Sequence, residues 1–268
     1  MQNLKLSEIN IYPVKSFGGI SLKETEVTKI GLKNDRLFIL VDENNHFITQ
    51  RQFPKLSTIK TTIETKGINL FNKEIGDIFI PFNPKEKNYI EVKVWRSTCK
   101  ALVADESINK KISAFLSINC KIAFMPEETK RSVNPDYDVL GNSNVSFADG
   151  YPFLIISEES LNELNSKLEK KILMNRFRPN IVISGGIPFQ EDTWTKIKIG
   201  TCVFHIVKPC ERCVVTTIDQ ESGLILDKEP LKTLASFRTI NNKVIFGQNM
   251  LVENTGIIKL GDSIEILS

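Results

Sequence analysis

Residues 208–219, KPCERCVVTTID, set two cysteines three apart, with Arg212 between them and Lys208 just before. Several chemistries are open to such a pair. A thioredoxin-type dithiol opens a helix, whose N-terminal dipole lowers one thiol pKa. Here the pair leads into Val214, Val215, Thr216, Thr217 and Ile218, whose β-branching predicts a strand, so that reading is disfavoured. A structural zinc site needs four ligands. His46 and His205 are the chain's two histidines, far apart in sequence, and Cys202 and His205 fall on opposite faces of a strand. Zinc is therefore not expected. Two readings stay open. Both cysteines can be buried small hydrophobes. Alternatively, one is an exposed thiolate favoured by Lys208 and Arg212 at a strand break made by Pro209, a ligand suited to a soft metal.

The elements that must position this pair read mainly as strands. LKLSEINIYPV, RLFILVDE, HFITQR and NYIEVKVW alternate apolar and polar residues, separated by the turn clusters SFGG, LKND, ENNH and FNPKEKN. Short strands at that spacing suggest a barrel or sandwich. A helix is predicted around DESINKKISAFLS, with Ile108, Ile112, Phe115 and Leu116 on one face. From about Pro126 to Asp149 periodicity stops, which reads as a linker or a lid; Lys130 and Arg131 there are candidates for meeting substrate. Beyond it, YPFLIIS, NIVISG, KIKIG, CVFHIV and CVVTTID read as strands, and NMLVENTGIIKLGDSIEIL as two more around Gly256 and Gly261. SEESLNELNSKLEKK is a helix capped by Ser157, with a Leu161, Leu164, Leu168 stripe and lysines at its negative end. PLKTLASFR is a short helix with Pro230 at its first position. The fold class is mostly β (α+β), in two domains, 1–125 and 126–268.

At 268 residues the chain can bury a sizeable core, and a net charge of +3 without long basic blocks gives no support for a nucleic-acid partner. No apolar run reaches the ~18 residues of a membrane span, and the start lacks a signal-peptide pattern. Five cysteines without a small-domain disulfide spacing suit a reduced, cytoplasmic setting.

The run KPCERCVVTTID, with SG, KEPLKTLASFR and FGQN after it, resembles the core of the MOSC domain. Upstream, INIYPVKSFGGI, NDRLFIL, ITQRQFPKL, FADGYPFLIIS and NRFRPNIVISG are similar to the two-part members of that family, in which an N-terminal β-barrel module precedes a MOSC β-barrel domain with a few peripheral helices. The amidoxime-reducing components and bacterial enzymes that detoxify N-hydroxylated bases are of this type. The resemblance covers nearly the whole chain.

It implies a molybdenum cofactor enzyme that reduces hydroxylamines, amidoximes and N-hydroxylated bases, with Cys213 as the molybdenum ligand. Molybdopterin carries a phosphate and a polar pterin, so its pocket should offer cationic forks and amide donors. The resemblance assigns that task to Lys15, Ser16, Arg36, Arg178, Asn180 and Arg212, with Glu211 and Asn249 beside them. Glu211 stands where the mitochondrial type has a small hydroxyl residue, and Asn249 replaces an aromatic. Cys210 is expected to pack nearby without ligating, and Asp219 to be structural. No pyridoxal-phosphate domain, iron–sulfur domain or membrane anchor is visible in the sequence. Electrons are therefore expected from a separate ferredoxin, flavodoxin or cytochrome b5-like protein with its reductase. A carrier of molybdenum cofactor or sulfur without turnover, and a β-rich interaction module built around FADGYP, are the alternatives.

Overall fold

The computed structural model describes residues 3–84 and 86–268; Met1, Gln2 and Lys85, the last within the expected FNPKEKN turn, lie outside them. The protein is mostly β, as the alternation predicts. Its largest sheet runs in the order Ile264–Ile266, Lys196–Ile199, Cys202–Glu211, Lys243–Val252, Phe153–Ser157, Ile181–Ser184, Lys5–Ile11, Ile20–Leu22. Neighbours are antiparallel except Phe153–Ser157 and Ile181–Ser184. That parallel pair is bridged by the helix Glu158–Asn165, because parallel strands need a crossover.

The sheet closes on itself. Leu6 N donates to Asp262 O at 2.9 Å, Gly261 N to Leu6 O at 2.8 Å and Ile264 N to Leu4 O at 3.0 Å. The strand Lys5–Ile11 thus joins the far end of the order, and strands from both sides of residue 126 share one barrel. The sequence of that strand required an adjustment. Leu6 and Ile9 are three apart, so strict alternation would turn one outward. A register shift between Leu6 and Glu8 lets Leu6, Ile9 and Ile11 all reach the interior, at 1%, 0% and 1% exposure.

Phe153, Ile155, Ile181, Ile183, Ile197, Phe204 and Met250 fill the rest of the barrel. A second core lies under the four-stranded sheet Phe38–Asp42, Cys120–Phe124, Ser97–Val103, Tyr89–Val94 and the meander Lys60–Glu64, Gly67–Asn72, Gly76–Pro81. The helix Glu106–Leu116 closes it with Ile108, Ile112, Phe115 and Leu116, the expected face.

Four expectations need correction. HFITQR forms no strand. His46 and Phe47 make only isolated bridges, to Lys93 and Val41, and the Gln52 side chain accepts from the Thr49 N–H and hydroxyl. CVVTTID is not a strand either: Val214–Thr217 is a 3-10 turn. The Thr216 and Thr217 hydroxyls donate to Cys213 O and Val214 O, at 3.0 and 2.8 Å, so the side chains that suggested a strand instead support a tight turn. The 158 helix stops at Asn165, whose side chain pairs with the Ile172 backbone in both directions. Lys170 and Lys171 therefore lie past its negative end. Pro209 does not end its strand, which runs on to Glu211 with register shifts on both sides of the proline.

A chain starting at residue 126 lacks the strand that closes the barrel and its three buried side chains, each worth ~1.5–3 kcal/mol. It is expected to show no cooperative urea transition by circular dichroism. A sharp transition would mean the barrel forms without that strand.

Candidate active site

The nine residues that the resemblance assigns to the site line one cleft: Lys15, Ser16, Arg36, Arg178, Asn180, Glu211, Arg212, Cys213 and Asn249; Lys130 and Arg131 do not line it. Most of the nine arrive from turns at strand ends, whereas Glu211 is the last residue of the strand Cys202–Glu211 and Asn249 lies within the strand Lys243–Val252. Ser16, Arg36 and Arg178 each have positive φ, at 73°, 50° and 55°. For non-glycine residues this conformation costs ~1–3 kcal/mol and persists only where the surroundings enforce it. For Arg36 the enforcement is visible: its N–H donates to Tyr12 O and its carbonyl accepts from Phe147 N, both at 2.9 Å.

The two arginines are built around Tyr12. The Arg36 guanidinium lies 4.3 Å and that of Arg178 4.1 Å from the Tyr12 ring centroid. Arg36 Nη1 also donates to Asp35 Oδ2 at 2.7 Å and Asn180 Oδ1 at 3.0 Å, and Nη2 to Arg178 O at 3.2 Å. Arg178 Nη1 donates to Phe17 O at 2.8 Å. Gly19 is required here, because a Cβ would stand 2.6 Å from the ring. Burial pushes the Tyr12 hydroxyl up to about 12, against the pull of both arginines, and pulls Arg178 down to about 10.

Cys213 caps the 3-10 turn and is exposed, while Cys99, Cys120 and Cys202 are buried. Its sulfur has no protein partner among the described residues. The neighbouring cations are arranged differently from expectation. Arg212 Nη1 donates to Cys210 Sγ at 2.9 Å and Nη2 to Phe177 O at 2.6 Å. The Lys208 ammonium pairs with Glu211 at 3.1 Å and lies over the Tyr137 ring. Neither cation is bonded to Cys213. Glu211 also pairs with Lys243 at 2.7 Å, and these lysines hold its carboxyl below the usual range against a partial desolvation cost. Asn249 Nδ2 makes only a long 3.5 Å contact to Pro209 O.

Several cleft residues went unassigned in the sequence. Asp149 accepts from Lys15 Nζ at 2.5 Å and Trp95 Nε1 at 3.1 Å. Although the Asp149 side chain is 65% exposed, the protein packed around it would raise its carboxyl by desolvation, and Lys15, Trp95 and Arg51 outweigh this and hold it far below the ordinary range. Lys15 is drawn down to about 8 by burial, with Asp149 resisting. Arg51 stacks over Trp95, and Arg176 pairs with Asp219, whose other oxygen accepts from Ser222. Arg131 is not a free cation of a mobile loop. It is 5% exposed and its guanidinium donates to the carbonyls of Ser146, Ala148 and Asp149, fixing the turn that presents Asp149. ITQRQ and FADGYP carried Arg51 and Asp149 in view; nothing in the sequence pointed to Trp95.

The donor set fits the expected cofactor. Six cations line the cleft (Lys15, Arg36, Arg51, Arg176, Arg178 and Arg212) against two carboxylates, Asp149 and Glu211. Arg212 Nε is buried with no partner, an N–H that a bound ligand can satisfy. Ser16 Oγ likewise has no protein hydrogen bond among the described residues, and Cys213 offers one open sulfur. No cluster of three or more His, Cys, Asp or Glu suited to a metal occurs among the described residues, so a metal here would lean on one protein sulfur and a chelating ligand.

The family model of the MOSC domain matches residues 142–265, and that of the MOSC N-terminal beta barrel domain residues 3–119. Mitochondrial amidoxime-reducing component 1 of Mus musculus is 34% identical, with 98% of this chain and 82% of that protein covered. Mitochondrial amidoxime reducing component 2 of Rattus norvegicus is 34% identical, over 97% and 82%, and component 1 of Homo sapiens 33%, over 98% and 82%. These relatives are named as mitochondrial, which differs from the cytoplasmic setting expected from the cysteines. No helix among the described residues is long and apolar enough to cross a membrane.

Between pH 8 and the ordinary lysine value the unfolded chain binds a proton at Lys15 that the folded chain has released, so stability should rise with pH across that window. Asp149→Asn removes the group that resists the depression. An NMR titration of the Lys15 side chain is expected to show a midpoint near 8 that moves lower in this variant; an unmoved midpoint would dissociate the pair.

Proposed function

The chain belongs to the MOSC family in its two-part form, alongside the amidoxime-reducing components, and from that premise we propose a molybdenum cofactor-dependent reductase of N-hydroxylated compounds. The observation that carries this reading is the open Cys213 sulfur in a cleft where six cations converge. Molybdopterin would be held at its metal by Cys213 and at its phosphate and pterin by Lys15, Ser16, Arg36, Arg178, Asn180 and Arg212. Bound there, it supplies two-electron cleavage of an N–O bond, giving the amine or amidine and water.

The chain's own residues set the conditions. Arg36 and Arg178, pinned against Tyr12, present fixed positive charge that costs no reorganisation when an anion arrives. Arg212 Nε is desolvated in advance of its partner. Lys15 Nζ, depressed to about 8, holds an exchangeable proton near neutral pH beside Asp149, suited to a reduction that consumes two protons. Glu211, tied to Lys208 and Lys243, keeps its charge directed at the rim. Electrons would come from a separate ferredoxin, flavodoxin or cytochrome b5-like protein with its reductase. The substrate is a small N-hydroxylated molecule.

Protein from a cofactor-competent host is expected to contain stoichiometric molybdenum and to reduce a hydroxylamine or amidoxime with reduced viologen dye. Cys213→Ser should lose at least ~10³-fold in rate, the scale of removing a central catalytic group, while Cys210→Ser retains most activity. Equal losses would remove the asymmetric assignment, and cofactor without turnover would mark a carrier instead.

A further inference from the structure

Resting on the reductase reading, we propose that a second cavity beside the cysteine cleft is its substrate subsite, selecting flat, ring-bearing amidoximes over small aliphatic hydroxylamines. The cavity lies between the turn at Trp95–Ser97 and the loop from Arg131 to Asp136. It shares Asp149, Gly150 and Tyr151 with the cleft that holds Cys213. A molecule seated in it lies against the same wall as the cofactor site.

Trp95 is the principal observation. The residue is 52% exposed and its backbone sits at φ 56°, both unfavourable for a tryptophan. Yet the ring is anchored: Nε1 donates to Asp149, the Arg51 guanidinium stacks 4.7 Å from its centroid, and Phe47 lies 5.1 Å away. An exposed ring held this firmly is a platform for another flat group. Across the cavity stand Val133, Pro135 and Tyr151, the last packed edge-on against Tyr137 at 6.1 Å.

The polar end is Asp149. Its Oδ1 is occupied by Lys15 and Trp95, whereas Oδ2 receives no hydrogen bond from the described residues, and the side chain is 65% exposed. Arg131, a cation of the same cavity, spends its Nη groups on three carbonyls and does not compete for Oδ2. An aryl amidoxime matches both ends. Its ring lies on Trp95 while its NH2 donates to Asp149 Oδ2, a charge-assisted bond, and the conjugated N–O group lies in the same plane. Hydroxylamine itself has no ring to place.

The chain has two tryptophans, and Trp194 is only 5% exposed, so quenching of accessible tryptophan fluorescence reports on Trp95. Benzamidoxime is expected to quench it saturably in the protein as purified. By calorimetry, Trp95→Ala should bind benzamidoxime about tenfold more weakly, the scale of losing one aromatic contact, and Trp95→Phe should restore most of it. With viologen-driven enzyme, Trp95→Ala should raise KM for benzamidoxime about tenfold relative to KM for hydroxylamine. Absence of saturable quenching, or equal KM changes for both substrates, overturns the subsite. Trp95-dependent binding without any turnover would keep the subsite and remove the reductase reading.

Discussion

The site depends on one stack: the Arg36 and Arg178 guanidinium groups, 4.3 and 4.1 Å from the centroid of the Tyr12 ring. Like charges are drawn together here although each repels the other. The ring faces attract both guanidinium groups, at ~0.5–2 kcal/mol each. Asp35 neutralises part of the charge, and the carbonyls of Phe17 and Arg178 absorb N–H groups that burial would otherwise strand. The three stacked side chains come from segments about 24 and 142 residues apart in sequence, so the stack also ties the early strands to the later barrel. Lys15, Ser16 and Asn180 take their places from the same turns.

The rest of the cleft follows from how that stack is buttressed. The Arg178 N–H groups reach Gln220, which pairs with Gln50, whose amide also donates to Ser16 O. On the opposite rim Arg131 fixes the Asp149 turn from behind. Around the ligand space the groups without a protein hydrogen bond among the described residues include Arg212 Nε, Arg131 Nε, Ser16 Oγ and the outward oxygen of Asp149. Such selective incompleteness in a bonded network is where a ligand gains most, since a satisfied donor must first lose a partner.

Local pattern carried most elements but not their partners. Leu6, Ile9 and Ile11, or Ile108 with Ile112 and Phe115, announce an inward face by spacing alone. That Leu6 pairs with Asp262 is invisible to any window, so the boundary at residue 126 looked cleaner than the sheet is. HFITQR alternates truly, but its backbone groups are met by a side chain and single bridges. In CVVTTID, two threonine hydroxyls reverse the meaning of β-branching. The nine cleft residues were legible through their motifs, because Lys15 or Arg178 alone is indistinguishable from any surface cation. Trp95 and Asp149 are single residues without period, whose pairing exists only after folding.

Barrel closure by the first strand has a consequence for how the molecule is made. Leu4 and Leu6 leave the ribosome about 255 residues before their partners at residues 261–264. Throughout synthesis the nascent chain carries an open, apolar strand edge, able to pair with whatever comes near. Contacts so distant along the chain also slow the final search. Such a chain profits from anything that shields this edge until residues 261–264 arrive to close the barrel.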